Sequence, residues 1–138
     1  MKKISEVMTG DVRIASPDDT IRNAAKQMAQ GDVGSLPVGE NDRLIGMITD
    51  RDIVVRAVAE GKNDETPVRE VMTESIRYCF VDDDVLDVAR NMSELGVRRL
   101  PVLDRNKRLV GIVALSNFAS ADTDKARDTL LEGVATPH

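Results

Sequence analysis

The 138-residue sequence predicts an α/β (α+β) fold made of two copies of one β-α-β-β-α unit. The first observation is an internal repeat, because the segment Glu-Val-Met-Thr occurs at residues 6–9 and again at residues 70–73. The second is that residues 33–38 recur at the same offset as residues 97–102, with Val, Leu, Pro and Val in equivalent places. The third is that helical apolar spacing alternates with short apolar runs in both copies. Together these observations predict a tandem duplication.

Each copy is predicted to begin with a short strand and a helix. Residues 12–16 and 77–81 have strand composition. In the first copy the helix is predicted to start at Pro-Asp-Asp, residues 17–19. An apolar stripe at helical spacing follows, with Ile21, Ala24, Ala25 and Met28 in the first copy and Val85, Val88, Ala89 and Met92 in the second. We therefore expect one face of each helix to pack on a sheet.

A strand, a turn, a second strand and a second helix complete each copy. The offset of the repeat changes by one between Val38 and Arg43, where Gly-Glu-Asn-Asp has the composition of a turn. The predicted strand and helix ranges are 36–38, 44–49 and 50–60 in the first copy and 100–103, 108–114 and 115–121 in the second.

The repeat predicts a division of the chain into two repeats, a linker and a tail. The ranges are 4–60 for the first repeat, 61–67 for a polar linker, 68–121 for the second repeat and 122–138 for the tail. The linker is short, so we expect the two repeats to pack against each other. We assign no function to the tail, whose composition is polar with a weak helical pattern.

Composition and charge argue against several classes of partner. The formal net charge is −5, which disfavours duplex nucleic acid or an anionic membrane as the main partner. No apolar run approaches the ~20 residues of a membrane span, and residues 1–6 lack the long apolar stretch of a signal peptide. We expect a cytoplasmic protein.

The cysteine and histidine counts argue against a disulfide and a metal site. Cys79 is the single cysteine and His138 the single histidine, so an intrachain disulfide is excluded and a structural zinc site lacks ligands. We expect no metal, and we interpret Cys79 as a small core residue.

The segment 46–53, Gly-Met-Ile-Thr-Asp-Arg-Asp-Ile, carries the strongest candidate site. A strand end delivers a helix N-terminus, whose unpaired N–H groups and positive dipole end favour an anion. Thr49 can add a hydroxyl to that anion, and Asp52 can accept hydrogen bonds from two neighbouring hydroxyls such as those of a ribose. These residues suit a nucleotide. The alternative is that Thr49 and the acids simply cap the helix.

The doubled pattern resembles the cystathionine-β-synthase (CBS) domain pair. The Val-Met-Thr segments, the Leu-Pro-Val strands and the Gly-x-x-Thr-x-x-Asp ending of the last strand carry the resemblance, which covers residues 4–121. It implies a pair of the stand-alone bacterial and archaeal type, with repeats packed sheet to sheet in pseudo-two-fold symmetry. It also implies clefts for adenosine-type ligands (AMP, ADP, ATP, NAD or S-adenosylmethionine) and a homodimer of two such pairs.

The resemblance implies a first cleft that combines the end of the last strand of repeat one with the early strands of repeat two. Adenine would bond strand backbone at Ile76, ribose hydroxyls would bond Asp52, and phosphates would meet Thr49 and arginines. The residues of this cleft are Met47, Ile48, Thr49, Asp52, Arg69, Ser75, Ile76, Arg77, Val97, Arg98 and Arg99.

A second cleft is implied, and there the sequence departs from the family pattern. Ala114 stands where the threonine is expected, and Asn117 stands where the aspartate is expected. The charge-assisted hydrogen bonds to ribose are therefore lost, at a cost of about 1–2 kcal/mol in binding free energy. We therefore expect this cleft to be weak or empty. Its residues are Val12, Arg13, Val33, Gly34, Ile112 and Asn117, with Asp11 and Ser35 beside them.

The leading functional hypothesis is a non-catalytic regulatory module that binds an adenine nucleotide as a regulatory ligand, with no obligatory cofactor, and signals to a regulated protein. A homodimeric structural or interaction protein with weak or lost nucleotide binding is the alternative. An enzyme such as a nucleotide hydrolase is disfavoured, because the sequence offers no nucleophile with a paired base and no Walker-type loop.

Overall fold

The computed structural model describes residues 2–10, 12–74, 76–114 and 117–118, and it divides the chain into two compact units. Arg13–Ile76 forms one unit, which we call the continuous unit. Met1–Val12 and Arg77–His138 form the other, which we call the two-segment unit. This division differs from the sequence repeats, because each Val-Met-Thr segment belongs to the unit built on the strands of the other repeat.

The continuous unit contains one long helix, a two-stranded sheet and a helical segment that follows the sheet. Helix α1 spans Ile21–Gly31, and Thr20 caps it by accepting a hydrogen bond from the Asn23 N–H. Its buried side chains pack in one apolar cluster with those of the strands. The remaining elements are β1 (Ser35–Glu40), β2 (Arg43–Thr49), α2 (Asp50–Asp52), a π-helix (Ile53–Val58) and a 3₁₀ turn (Val68–Glu70).

A tight hairpin joins β1 to β2. The strands are antiparallel, with Glu40 opposite Arg43, and the two residues between them, Asn41 and Asp42, have φ angles of 55° and 65°. Positive φ at both positions is typical of a type I′ turn, whose twist matches the flanking strands. The turn predicted at residues 39–42 is therefore confirmed at Asn41 and Asp42, whereas Gly39 and Glu40 belong to β1, which has a β-bulge between Val38 and Gly39.

The two-segment unit has the equivalent elements and a three-stranded sheet. Strand β3 (Cys79–Phe80) pairs in parallel with β4, and β4 pairs antiparallel with β5. Gly96 ends helix α3 with a φ of 68°. The ranges are Val85–Leu95 for α3, Arg99–Leu103 for β4 and Leu109–Ala114 for β5. The connection from β4 to β5 is longer than its counterpart, which accounts for the change of offset in the repeat.

The α/β fold class is confirmed, and several element bounds are corrected. Residues 12–16 do not form a strand: only Ala15 pairs, through a single parallel bridge to Val38. The first helix begins at Ile21 rather than at residues 17–19, because the Thr20 side chain supplies the cap. The predicted strand 77–81 is reduced to β3. The predicted helix 50–60 is present as α2 and the π-helix.

The predicted helix 115–121 lies mostly outside the described residues, of which Asn117 and Phe118 are helical. Among the described residues, no helix has the length and apolar character needed to cross a bilayer.

The Val-Met-Thr segments lie directly against the strands β2 and β5. Thr73 exchanges two backbone hydrogen bonds with Met47, at 2.8 and 2.9 Å, and Thr9 exchanges two with Ile112, both at 2.9 Å. A glycine precedes each partner residue, and a Cβ at Gly46 would lie 2.9 Å from the Thr73 carbonyl oxygen. A Cβ at Gly111 would lie 2.8 Å from the Thr9 carbonyl oxygen. A side chain at either crossing would therefore force the neighbouring backbone to shift, which favours glycine at both positions.

Candidate functional site

Thr49 and Asp52 form a reciprocal capping box at the end of β2. The Asp52 N–H donates to Thr49 Oγ1 over 3.0 Å, and the Thr49 N–H donates to Asp52 Oδ2 over 3.1 Å. Such a pair satisfies two N–H groups that a helix start leaves without an intrahelical partner. The capping interpretation of these residues is therefore confirmed, and it fixes the side chains from which a ligand site would be built.

The expectation that unpaired N–H groups at this helix start hold an anion is wrong for residues 50–52. The Asp50 N–H donates to the Gly34 carbonyl over 2.9 Å, and the Arg51 N–H donates to Asp50 Oδ1 over 2.8 Å. With the Asp52 N–H bound to Thr49, all three donors have partners inside the unit. An anionic group must therefore be held by side chains rather than by this backbone.

The half-buried Asp52 carboxylate receives a second donor from Thr73. Thr73 Oγ1 lies 3.3 Å from Asp52 Oδ1 and 3.4 Å from Oδ2. An ionised carboxylate has roughly four lone-pair positions, and the Thr49 N–H and the single Thr73 hydroxyl proton occupy two of them. Two positions remain, which is the number that a pair of vicinal hydroxyls requires. Within the described part of the chain the Thr49 hydroxyl proton has no hydrogen-bond acceptor, so it can serve a ligand oxygen.

Arg69 is engaged with carboxylates of its own unit. Its Nη2 lies 3.0 Å from Glu40 Oε2 and 3.4 Å from Asp18 Oδ1. The hydrogen bond to Glu40 raises the pKa of the Arg69 guanidinium above its ordinary value. Of the arginines expected at the phosphates, this one is therefore occupied by other partners in this structure.

The remaining residues expected in the first cleft are divided between the two units. Met47 and Ile48 lie on β2 and precede Thr49, with Met47 half-buried and Ile48 fully buried. Ile76 ends the continuous unit, and Ser75 lies outside the described residues. The two-segment unit holds exposed Arg77 and Arg98 together with half-buried Val97 and Arg99.

The residues expected in the second cleft are divided in the same way. In the continuous unit, the exposed Arg13 donates to Gln30 over 3.5 Å, and Val33 and Gly34 are half-buried. In the two-segment unit, Val12 and Ile112 are half-buried. Asp11 lies outside the described residues.

Asn117 occupies the position that corresponds to Asp52 and makes the same backbone contact. The Ala114 N–H donates to Asn117 Oδ1 over 2.7 Å, as the Thr49 N–H does to Asp52. Ala114 has no hydroxyl to return a cap. Asn117 Nδ2 donates to Thr9 Oγ1 over 3.4 Å, so the amide acts as a donor where Asp52 acts as an acceptor.

Two residues near Asp52 were not predicted. Thr73 contacts the carboxylate directly, and Arg56 Nη1 donates to the carbonyl oxygens of Val71 and Met72 over 3.1 and 2.8 Å. The π-helix that follows Asp52 therefore holds the segment that carries Thr73. The repetition of Val-Met-Thr was the available sequence signal for Thr73, whereas nothing in the sequence pointed to Arg56.

Cys79 is a buried core residue, as interpreted from the sequence. Its side chain is 4% exposed, and Sγ lies 3.8 Å from the Pro101 carbonyl oxygen. Burial raises the pKa of the thiol to about 12, so the reactive thiolate is scarce at neutral pH. Within the described ranges, no group of three histidine, cysteine or acidic side chains could hold a metal ion.

Comparison with known proteins identifies the duplicated unit. The family model of the CBS domain matches twice, at residues 4–58 and 68–124. The CBS domain-containing protein YhcV of Bacillus subtilis is 42% identical over 119 residues, which cover 86% of this chain and 84% of YhcV.

Two solved structures have the same fold. Hypoxic Response Protein I, crystallised with two coordinated zinc ions, is 36% identical with a TM-score of 0.75, and the match covers 86% of this chain and 98% of that protein. The CBS domain pair of protein MJ0100, in complex with 5′-methylthioadenosine and S-adenosyl-L-methionine, is 26% identical with a TM-score of 0.74, covering 91% and 98%. The chain therefore belongs to the CBS domain family and contains a pair of these domains.

Proposed function

We propose that this CBS domain pair is a regulatory module that binds one adenosine-type ligand in a site formed by residues of both repeats. The candidates are AMP, ADP and ATP, with NAD and S-adenosylmethionine as further members of the same class. The observation that carries the proposal is the Asp52 carboxylate, which two donors hold in place while two acceptor positions remain. The adenosine moiety shared by the ligands of the MJ0100 pair supports the class.

The roles of the site residues follow from their chemistry. Asp52 accepts from the two ribose hydroxyls, and Thr49 donates its hydroxyl proton to a ligand oxygen. Adenine lies against Met47, with Ile48 behind it in the strand, and bonds to backbone at Ile76 and Ser75. Arg77, Arg98 and Arg99 supply positive charge for phosphate, because Arg69 is paired with Glu40 and Asp18 and the helix start has no spare N–H.

Occupancy of the two sites is proposed to be unequal. The site at Asn117 offers a neutral amide in place of a carboxylate, and it lacks a hydroxyl at Ala114. Gly34 and Ser35 stand where the other site has Arg98 and Arg99, so the positive charge is also missing. We therefore propose a stoichiometry of one tightly bound ligand per chain.

Asp52→Asn is the sharpest test, because it gives the first site the amide already present in the second. The variant keeps the bond to the Thr49 N–H but loses the charge-assisted bonds to ribose, and about 1–2 kcal/mol predicts a 5- to 30-fold weaker binding of AMP or ATP in titration calorimetry. Asp50→Asn changes a neighbouring acid whose carboxylate accepts from the Arg51 N–H, and this matched control should lose no affinity. Equal affinity of Asp52→Asn and the unchanged protein would refute the assignment.

A screen of ligands separates this proposal from its alternatives. A ligand that binds only the folded state raises the melting temperature, so one or more of AMP, ATP, NAD and S-adenosylmethionine should do so. If none does at millimolar concentration, the chain is a structural or interaction protein. We propose that the chain is not an enzyme, and phosphate release from ATP above the buffer rate would contradict this. Mass spectrometry of any copurifying small molecule would name the ligand.

We also propose that the chain forms a homodimer and that ligand binding to this dimer changes the activity of a regulated protein. Val54, Val55 and Val58 of the π-helix are 58%, 46% and 66% exposed, which is unusual for three β-branched apolar side chains in one short segment. Light scattering should give twice the chain mass. The double substitution Val54→Glu with Val58→Glu should give the monomer mass, and an unchanged dimer would contradict the use of this face.

A further inference from the structure

The threonine of each Val-Met-Thr segment contacts the last polar residue of the corresponding site. In the continuous unit, the Thr73 hydroxyl lies 3.3 and 3.4 Å from the two Asp52 carboxylate oxygens. In the two-segment unit, the Asn117 amide donates to the Thr9 hydroxyl over 3.4 Å. The contact occurs at equivalent positions of both units, although the polar residue is an acid in one and an amide in the other.

The backbone, not the hydroxyl, fixes the place of each threonine. Thr73 and Met47 exchange hydrogen bonds at 2.8 and 2.9 Å, and Arg56 binds the two carbonyls that precede Thr73. The hydroxyl can therefore be removed without removing the anchors of the segment. A role in holding Asp52 can be separated experimentally from a role in folding.

We infer that Thr73 is a positioning residue for the sugar-binding carboxylate of Asp52, and that Thr9 has the same role toward Asn117. The inference rests on the proposed function. Without Thr73, the Asp52 carboxylate would be held by a single hydrogen bond, from the Thr49 N–H to Oδ2, and the side chain could rotate about its χ angles. The Thr73 hydroxyl supplies a second donor from a different segment, and two attachments leave one orientation of the carboxylate, with the same two lone-pair positions facing a ligand.

A hydroxyl suits both positions because it can donate and accept. A carboxylate only accepts, so Thr73 must donate to Asp52, whereas the Asn117 nitrogen only donates, so Thr9 must accept. Valine has nearly the shape of threonine but can do neither, and serine can do both. The two substitutions therefore isolate the hydroxyl.

The test compares AMP with 2′,3′-dideoxy-AMP, which lacks both sugar hydroxyls. In titration calorimetry the unchanged protein should prefer AMP, and Thr73→Val should reduce that preference about five-fold, as expected for one hydrogen bond. Thr73→Ser should retain it, and Asp52→Asn in the same assay gives the effect of weakening the acceptor itself. A Thr73→Val variant that weakens both ligands equally, or neither, would overturn the inference.

A measurement without ligand keeps the two proposals apart. NMR three-bond scalar couplings report the χ1 rotamer of Asp52 in the ligand-free protein. They should indicate a single rotamer in the unchanged protein and in Thr73→Ser, and an average over several rotamers in Thr73→Val. If none of AMP, ATP, NAD and S-adenosylmethionine binds the unchanged protein, the proposed function fails, and the couplings still decide whether Thr73 holds Asp52. A single, unchanged Asp52 rotamer in Thr73→Val would overturn the positioning role by itself.

Discussion

Gly46→Ala should destabilise the protein because it places a methyl group where the Val-Met-Thr segment crosses β2. The added Cβ would lie 2.9 Å from the Thr73 carbonyl oxygen and 2.9 Å from Met72 Sδ. The sulfur ends a flexible side chain and can move, but the carbonyl oxygen is backbone and accepts from the Met47 N–H at 2.9 Å. Relief of the contact therefore requires the segment to move by about half an ångström.

The expected cost follows from three terms. Overpacking in a closed site costs about 1–3 kcal/mol, and weakening the Met47 bond adds about 0.5–1.5 kcal/mol. Replacing glycine by alanine in a strand returns about 0.5–1 kcal/mol, because the unfolded chain loses freedom. The net loss is about 0.5–4 kcal/mol in the free energy of unfolding, and Gly111→Ala should behave alike, since its Cβ would lie 2.8 Å from the Thr9 carbonyl oxygen.

Urea unfolding followed by circular dichroism measures this loss, and Gly10→Ala is the control. Among the described residues, a Cβ at Gly10 would meet the Val110 carbonyl oxygen alone, at 4.0 Å, so that variant should match or exceed the stability of the unchanged protein. If Gly46→Ala proves as stable as Gly10→Ala, the crossing is not closely packed and the reasoning about Thr73 loses its foundation.

Three further outcomes are expected. The double substitution Ala114→Thr with Asn117→Asp should raise the calorimetric stoichiometry for AMP from one toward two sites per chain, and a value that stays at one would show that these two residues do not limit the second site. Arg56→Met leaves two carbonyl oxygens without their charged donor and should cost about 1–3 kcal/mol in urea unfolding, whereas exposed Arg51→Met should change stability by less than about 0.5 kcal/mol. Because burial raises the pKa of Cys79 to about 12, the folded protein should resist thiol alkylation at pH 8 and react on denaturation; alkylation at equal rates would contradict the burial.

The helices and hairpins could be predicted because local periodicity determines them. The residues that form the apolar stripe of α1 are close to one another in sequence, and so are the residues of the Gly-Glu-Asn-Asp turn. The prediction of a strand at residues 12–16 was wrong because strand formation is not decided locally. Its apolar composition allows a strand, but pairing depends on partners distant in sequence, and only Ala15 finds one.

The helix cap at the candidate site could be predicted from the sequence, and the other hydrogen bonds around it only in part. Thr49 and the acids that follow it indicated a helix cap, and the structure contains one in the form of a reciprocal capping box between Thr49 and Asp52. The expectation of free N–H groups failed because the carboxylate of Asp50 and the carbonyl of Gly34 satisfy the adjacent donors. Thr73 was missed because its contact with Asp52 depends on the pairing of Thr73 with Met47 beside Gly46, and these residues are far apart in the chain.

The division of the chain into units has a consequence for biosynthesis. Arg13–Ile76 is an uninterrupted stretch, so a ribosome delivers every residue of its core before it reaches Arg77, where the longer segment of the other unit begins. Ile4, in contrast, belongs to the apolar cluster that contains Cys79, Val113 and Phe118, and the last members of that cluster are translated more than a hundred residues after it. We therefore expect nascent chains to acquire protease resistance first in the stretch that carries Asp52, and the segment that carries Ile4 to remain unfolded until residues 77–118 have been translated.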